Sequence, residues 1–281
     1  MMKQLIVILI LLLKLVVVSA QTDSKYAVYK KSLTKKNLVI AGLVVQQSSS
    51  SLVEYKWWWQ DSSNAFHFEH DGVFNNYSFG MDKIGHAFVS HLCYHAIHEA
   101  MTWAEFTPKQ TLYTSIALPA FWALSIEIGD AFSPYGFSVP DLAANFAGIG
   151  YGVLQHQLPF FKNIAFKLSY YPRIPVYRLS SNYDDHIYWL SFNMHNLLPG
   201  IVGHKWPEVI NLAAGYSIED YNKGPIKREF VFGIDINLAA IKTKSKGLAA
   251  IKNVVNLIHL PSPGVKVTRE HTPQYKVFML N

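Results

Sequence analysis

One cysteine, Cys93, stands among 281 residues, so no disulfide can form within the chain even in an oxidising compartment. No cysteine stands directly after the export-like N-terminus, so any membrane attachment is expected to come from the polypeptide rather than from a lipid on a thiol. Charge is also scarce, at 16% of residues against about 25% in ordinary soluble domains. The net charge of +6 is spread along the chain. Its dense stretches, KKSLTKK from Lys30 and KTKSK from Lys242, read as solvated or headgroup-facing segments, and no nucleic-acid partner is expected. Long apolar runs are missing beyond the N-terminus: the three most helical segments all fall short of the roughly 18 uninterrupted apolar residues that mark a transmembrane helix. No nucleophile elbow is present, and Cys93 lies in apolar sequence, which removes serine and cysteine nucleophiles from consideration. GIGYG follows a helix start instead of preceding one, so it is no phosphate-binding loop.

Half of the residues are hydrophobic and the mean hydropathy is +0.11, a balance between a soluble globule and a membrane-contacting protein. The N-terminus carries Lys3, the apolar run Leu5 to Leu13 and then Val18-Ser19-Ala20, the pattern of a secretory signal cleaved after Ala20. The competing reading is a retained signal anchor. Residues 1–20 are thus expected to be a signal peptide and 21–36 a polar segment. A helical core is expected over 37–157, and a C-terminal extension containing short β-strands over 158–281. The fold class expected is mainly α, a small bundle of about four helices that associates with a membrane.

Within the core, helical character runs over 83–103, 110–127 and 140–155. Trp57-Trp58-Trp59 ends a part-apolar segment and fits either an interfacial anchor or a helix end packed on the protein. Ala144, Gly148 and Gly152 recur every four residues, a small-residue ridge that lets helix backbones approach closely. After Gln157 prolines break the helical period, and alternation takes over. In REFVFGIDINL, Phe230, Phe232, Ile234, Ile236 and Leu238 share one face while Val231, Asp235 and Asn237 share the other, the period of a half-buried strand. INLAAGYSIED (210–220) is placed to pair with it across the turn-like YNKGP. The strands after 205 are expected to face the periplasm.

The polar residues of the core fall at helical spacings. Asp82, His86, Ser90 and Cys93 share a face of the first helix, because residues four apart are neighbours. Glu127 and Asp130 can converge at the end of the second. Asp141 and Asn145 lie one turn apart at the start of the third, where Ser138-Val139-Pro140-Asp141 reads as a capped helix start. In an up-down-up arrangement these groups gather at one end. Such a set could hold a divalent cation or run acid and base chemistry, or it could be a hydrogen-bonded plug that keeps three helices in register. His91, His95 and His98 occupy another face, and either bind metal or pack as ordinary histidines.

DKIGHAF (82–88), the E-x-x-D of Glu127 and Asp130, GFS (136–138) and the D-x-x-x-N-x-x-G from Asp141 to Gly148 resemble the domain-of-unknown-function family 2279, the YfiM-like predicted periplasmic lipoproteins. More distantly, their order is similar to that of VanZ-like membrane proteins. The resemblance implies an exported cell-envelope protein with a helical core and a shared polar set of Asp82, Lys83, His86, Glu127, Asp130, Asp141 and Asn145. It implies no reaction. The chain departs from these patterns in lacking the lipoprotein cysteine and in placing Ala131 where a glycine often follows the second acid. Two readings stay open. One is a non-catalytic or partner-binding envelope protein in contact with membrane lipid. The other is a membrane hydrolase or transferase acting on an envelope lipid or glycan, with His86, Glu127 and Asp130 as its candidate catalytic residues. A divalent metal is the one cofactor the polar set could take, and a protein partner is compatible with either reading.

Overall fold

The computed structural model describes residues 26–279, except 62, 172–181, 222 and 270–271. The expected signal peptide (1–20) and the start of the expected polar segment lie outside the described residues. The helical half comes first: α1 (Tyr26–Glu54), which widens into a π-helical turn at Tyr55–Trp59, then α2 (Met81–Trp103), α3 (Pro108–Asp130) and α4 (Val139–Gln157). Two short strands, β1 (Phe68–Glu69) and β2 (Phe137–Ser138), pair in parallel. The second half is a six-stranded antiparallel meander, β3 (Ile164–Tyr170), β4 (His186–Phe192), β5 (Ile210–Glu219), β6 (Lys227–Ile236), β7 (Gly264–Thr268) and β8 (Gln274–Lys276), paired in chain order. Short helices α5 (Met194–Leu197), α6 (Gly200–Lys205) and α7 (Lys246–Val255) lie between strands. Seven α-helices among the described residues exceed the four expected. The sheet, with two strands of ten residues each, is larger than an appendage of short strands.

Local chemistry accounts for the helix ends. Thr107 and Gln110 form a reciprocal capping box in front of α3, with Pro108 at its first turn. The Ser138 side chain accepts from the Asp141 amide at 3.2 Å and caps α4 as the sequence predicts. At α2 the Asn76 side-chain oxygen accepts from the amides of Ser78 and Gly80, and Gly80 enters the helix at φ 89°, where a side chain would be strained. α3 is the one described helix long and apolar enough, by length and composition, to cross a membrane. Pro119 is buried within it.

Helices α2 and α4 run side by side in parallel, and their crossing depends on the small-residue ridge. A Cβ on Gly148 would stand 1.9 Å from the Ala87 carbonyl oxygen, and one on Gly152 would stand 2.4 Å from the Tyr94 ring. The two halves meet through aromatic packing: Phe88 of α2 touches Phe166 and Tyr188 of β3 and β4, with ring centroids 5.3 and 5.8 Å away. Met81, Tyr183 and Ile218 complete this core.

In the sheet the polar row of β6 is the buried one. The alternation in β6 is as the sequence predicts, but the apolar row is the outer one: Phe230 and Phe232 are 52% and 54% exposed, with Ile234, Ile236 and Leu212 beside them. The buried row carries Glu229, Val231 and Asp235. It faces an interior where Lys167 pairs with Asp235 at 2.7 Å and Lys266 with Glu229 at 2.7 Å. Ser191 donates to Asp235 at 2.5 Å and accepts from Asn211 at 2.9 Å. A polar row can be the buried one because each charge here meets a partner.

Candidate functional site

Glycine-80 and the Asn76 turn aim the start of α2 at the start of α4, and this brings Lys83 into a nest of carboxylates. Its ammonium lies 2.5 Å from Asp71, 2.9 Å from Asp82 and 2.5 Å from Asp141, while the side chain is only 4% exposed. Asp71 belongs to the aromatic connection between helices. The pairing of Glu69 with Ser138 in the β1–β2 ribbon carries it in, and Ser138 donates to it at 3.4 Å. Asp82 also accepts from the Tyr183 hydroxyl at 2.7 Å, which fastens the cluster to the chain just before β4.

His86 sits on the rim, 27% exposed, with Nε2 3.8 Å from carboxylate oxygens of both Asp82 and Asp141. Its Nδ1 lies 3.2 Å from the Asn145 amide nitrogen. Asn145 in turn accepts from Ser90 at 2.6 Å, so the chain Ser90, Asn145, His86 is ordered by donor direction. Glu127 is buried beneath and accepts from the Ser138 amide at 3.0 Å. Asp130 accepts from the Trp59 indole at 2.7 Å, so the third tryptophan of the triplet packs on the protein while Trp57 stays exposed.

Burial dominates the electrostatics. It pushes the Glu127 carboxyl up to about 8, despite the hydrogen bond from Ser138, and raises Asp130 to about 6 despite Trp59. Burial, with Asp82 nearby, also raises Asp141. At Asp82 burial is outweighed by His86 and Lys83, which hold it below the usual range. Burial of Lys83 is likewise outweighed by Asp82, Asp141 and Asp71, which hold the ammonium above the usual lysine range.

The structure therefore draws Asp82, Lys83, His86, Asp141 and Asn145 into direct contact. Glu127 and Asp130 stand next to them, near enough for their charges to be felt. Asp82, His86 and Asp141 have donor atoms within 4.8 Å of one another, spacing that a cation could use, although Lys83 already occupies the space between the carboxylates. His91, His95 and His98 lie apart, further along α2. Asp71, Tyr183 and Trp59 are absent from the sequence-derived set because they reach the cluster from loops and helix ends with no spacing relation to it. A cavity of about 410 Å³ opens elsewhere, at the sheet, lined by residues that include Asn163, Ser191, Asn211 and Glu208.

The matched helices and polar residues coincide with a known family model. Residues 70–157 match the family described as predicted periplasmic lipoprotein, DUF2279. The family description agrees with the exported, cell-envelope localisation expected from the N-terminus. The DUF2279 region contains the entire carboxylate nest around Lys83 and stops before the sheet. No curated protein and no solved structure matches the chain, and the more distant VanZ-like likeness rests on motif order alone.

Proposed function

We propose that this is a non-catalytic envelope protein that lies against a membrane, with the Lys83 cluster locking α2, α4, the 66–80 connection and the chain before β4 into one frame. The observation that carries this reading is Lys83 itself, which is buried and neutralised by three carboxylates from three segments. A resident cation leaves those carboxylates neither free to act as bases nor open to a metal. His86, on the rim, is the group available to a protein partner. Membrane lipid is the second partner: the exposed apolar row of β6, and separately the exposed Val45, Leu52 and Trp57 of the first helix and its end, support it, since an exposed apolar row marks contact with a membrane or another protein.

A specific observation favours the alternative, a hydrolase or transferase of envelope lipids or glycans. Glu127 at about 8 and Asp130 at about 6 are two acids held at different protonation near neutral pH, the arrangement that general acid and base pairs require. Complementation of a deletion strain separates the two readings. Under the frame reading, Lys83→Met leaves three carboxylates uncompensated, costs about 3–5 kcal/mol, and loses phenotype in proportion to protein abundance. His86→Ala loses phenotype at normal abundance, while Glu127→Gln and Asp130→Asn keep it. Loss of phenotype in Glu127→Gln or Asp130→Asn at unchanged abundance and melting temperature would establish the enzyme instead.

A further inference from the structure

The parallel pair α2 and α4 carries a second cluster at its far end. His95 and His98 of α2 converge there on His156 of α4, with ring centroids 5.0 and 3.7 Å from that of His156. His91 stands 4.5 Å behind His95. Rings this close cannot all be cationic, so they pack as neutral imidazoles, each with one lone pair to place. Two ring nitrogens, Nε2 of His91 and Nδ1 of His98, are buried without a hydrogen-bond partner, and so is the neighbouring Tyr94 hydroxyl. His91 is wholly buried. Unpartnered buried polar atoms are rare enough in folded proteins to call for an explanation.

We propose that this cluster binds one divalent transition-metal ion of the zinc class, held by His98, Glu99 and His156, with His95 as the fourth ligand. The donor atoms of the first three lie within 4.8 Å of one another. Metal–nitrogen bonds of about 2 Å in a tetrahedron ask only small side-chain rotations of such a set. The surrounding hydrogen bonds already fix the ligands as a metal site needs. His156 Nδ1 is 3.0 Å from the Gly152 carbonyl, which leaves Nε2 its lone pair. His95 Nε2 meets the Gln155 oxygen at 2.8 Å, which leaves Nδ1 free. Glu99 accepts from Asn253 of α7 at 3.2 Å. Outer partners of this kind orient ligands and raise their basicity. An imidazole-rich set favours zinc, copper or nickel over magnesium or calcium, and among the described residues no lysine ammonium pairs with it, in contrast to the cluster at the other end. The ion would clamp α2 to α4 where the small-residue ridge ends. His156, on the other helix, is the member that the spacing of His91, His95 and His98 could not supply.

The test titrates the full chain, stripped of metal by chelator, with zinc chloride and separately with cobalt chloride, whose visible absorption reports tetrahedral nitrogen and oxygen ligation. One ion per chain and a zinc-dependent rise in melting temperature are expected. The double variant His98→Gln/His156→Gln should weaken binding by about 100-fold or more, and Asn253→Ala by about 10- to 100-fold, with His86→Ala and Asp141→Asn unchanged. Circular dichroism checks the fold of each variant, and Asn253→Ala carries the comparison if the double variant fails to fold. A folded wild-type chain that takes up neither ion overturns the proposal. So does stoichiometric binding that survives in the folded double variant, or binding that is lost in His86→Ala.

Discussion

The helical and sheet halves distribute polarity in opposite ways. Between α2 and α4 the close packing rests on the small-residue ridge at Gly148 and Gly152, and polar groups collect at its two ends, charges around Lys83 and neutral imidazoles around His156. In the sheet the charges are the interior: Lys167 and Asp235, both wholly buried, form its centre, while Phe230, Phe232 and Ile234 face outward. The difference shows that amphipathic alternation fixes which residues share a face but not which face is buried. A polar face can be buried when its charges pair and its hydroxyls and amides close the network, as Ser191 and Asn211 do here. The apolar face then needs another cover, which the proposed membrane supplies.

Breaking the buried pair should give the largest effect. Lys167→Met or Asp235→Ala alone leaves one uncompensated charge in the sheet interior and should cost about 3–5 kcal/mol in denaturant unfolding. The double replacement Lys167→Met/Asp235→Leu should recover most of that loss, because an apolar pair of similar volume needs no compensation. If the double variant were as unstable as the singles, the interior would depend on its wider hydrogen-bond network rather than on the pair.

Next in size is the pH response of the helical half. Burial raises Glu127 to about 8 in the folded state, so the native chain holds a proton that the unfolded chain releases near its ordinary value. Stability contributed by the protonated acid is complete below about pH 4.5 and is lost as pH rises to about 8, in total about 2–4 kcal/mol. Melting curves from pH 5 to 9 should therefore fall more steeply for the wild type than for Glu127→Gln, whose neutral amide mimics the protonated acid. Parallel profiles would place the titrating group elsewhere.

A smaller loss should follow Gly148→Ala. The new Cβ would collide with the Ala87 carbonyl and force the helices apart, at about 1–3 kcal/mol. The same change at Gly150, which meets nothing within 4 Å, should be neutral or slightly stabilising through helix propensity. The contrast is read by comparing the two unfolding midpoints.

The smallest stability change belongs to the outer row of the sheet. Phe230→Ser/Phe232→Ser should shift unfolding by about 0.5 kcal/mol or less per site, while reducing co-sedimentation with lipid vesicles. Undiminished vesicle binding would move the membrane contact to the helical half. Carbonate washing of native membranes sharpens the same point, since complete release of the chain would leave only a peripheral contact.

Much of the helical half was legible because its signals are local. The Ser138 cap and the four-residue small-residue ridge each follow from neighbours along one helix, and the positions of Asp82, His86, Asp141 and Asn145 follow from helical spacing once the short connections make the helices antiparallel in succession. Asp71 and Tyr183 were not legible. They reach Lys83 through a two-residue parallel ribbon and through the docking of the sheet, neither of which leaves a periodic mark.

The sequence by itself determined the export-like N-terminus, the order of helices before strands, the polar set around residues 82–145 and the alternation of the strands, because these depend on composition and on contacts a few residues apart. Tertiary structure alone decided which face of the sheet is buried, which carboxylates share Lys83, and that His156 joins His98 and Glu99. Those outcomes depend on charges and imidazoles separated by tens of residues finding one another inside the protein, and the cost of burying a charge is set by whichever partner the fold delivers.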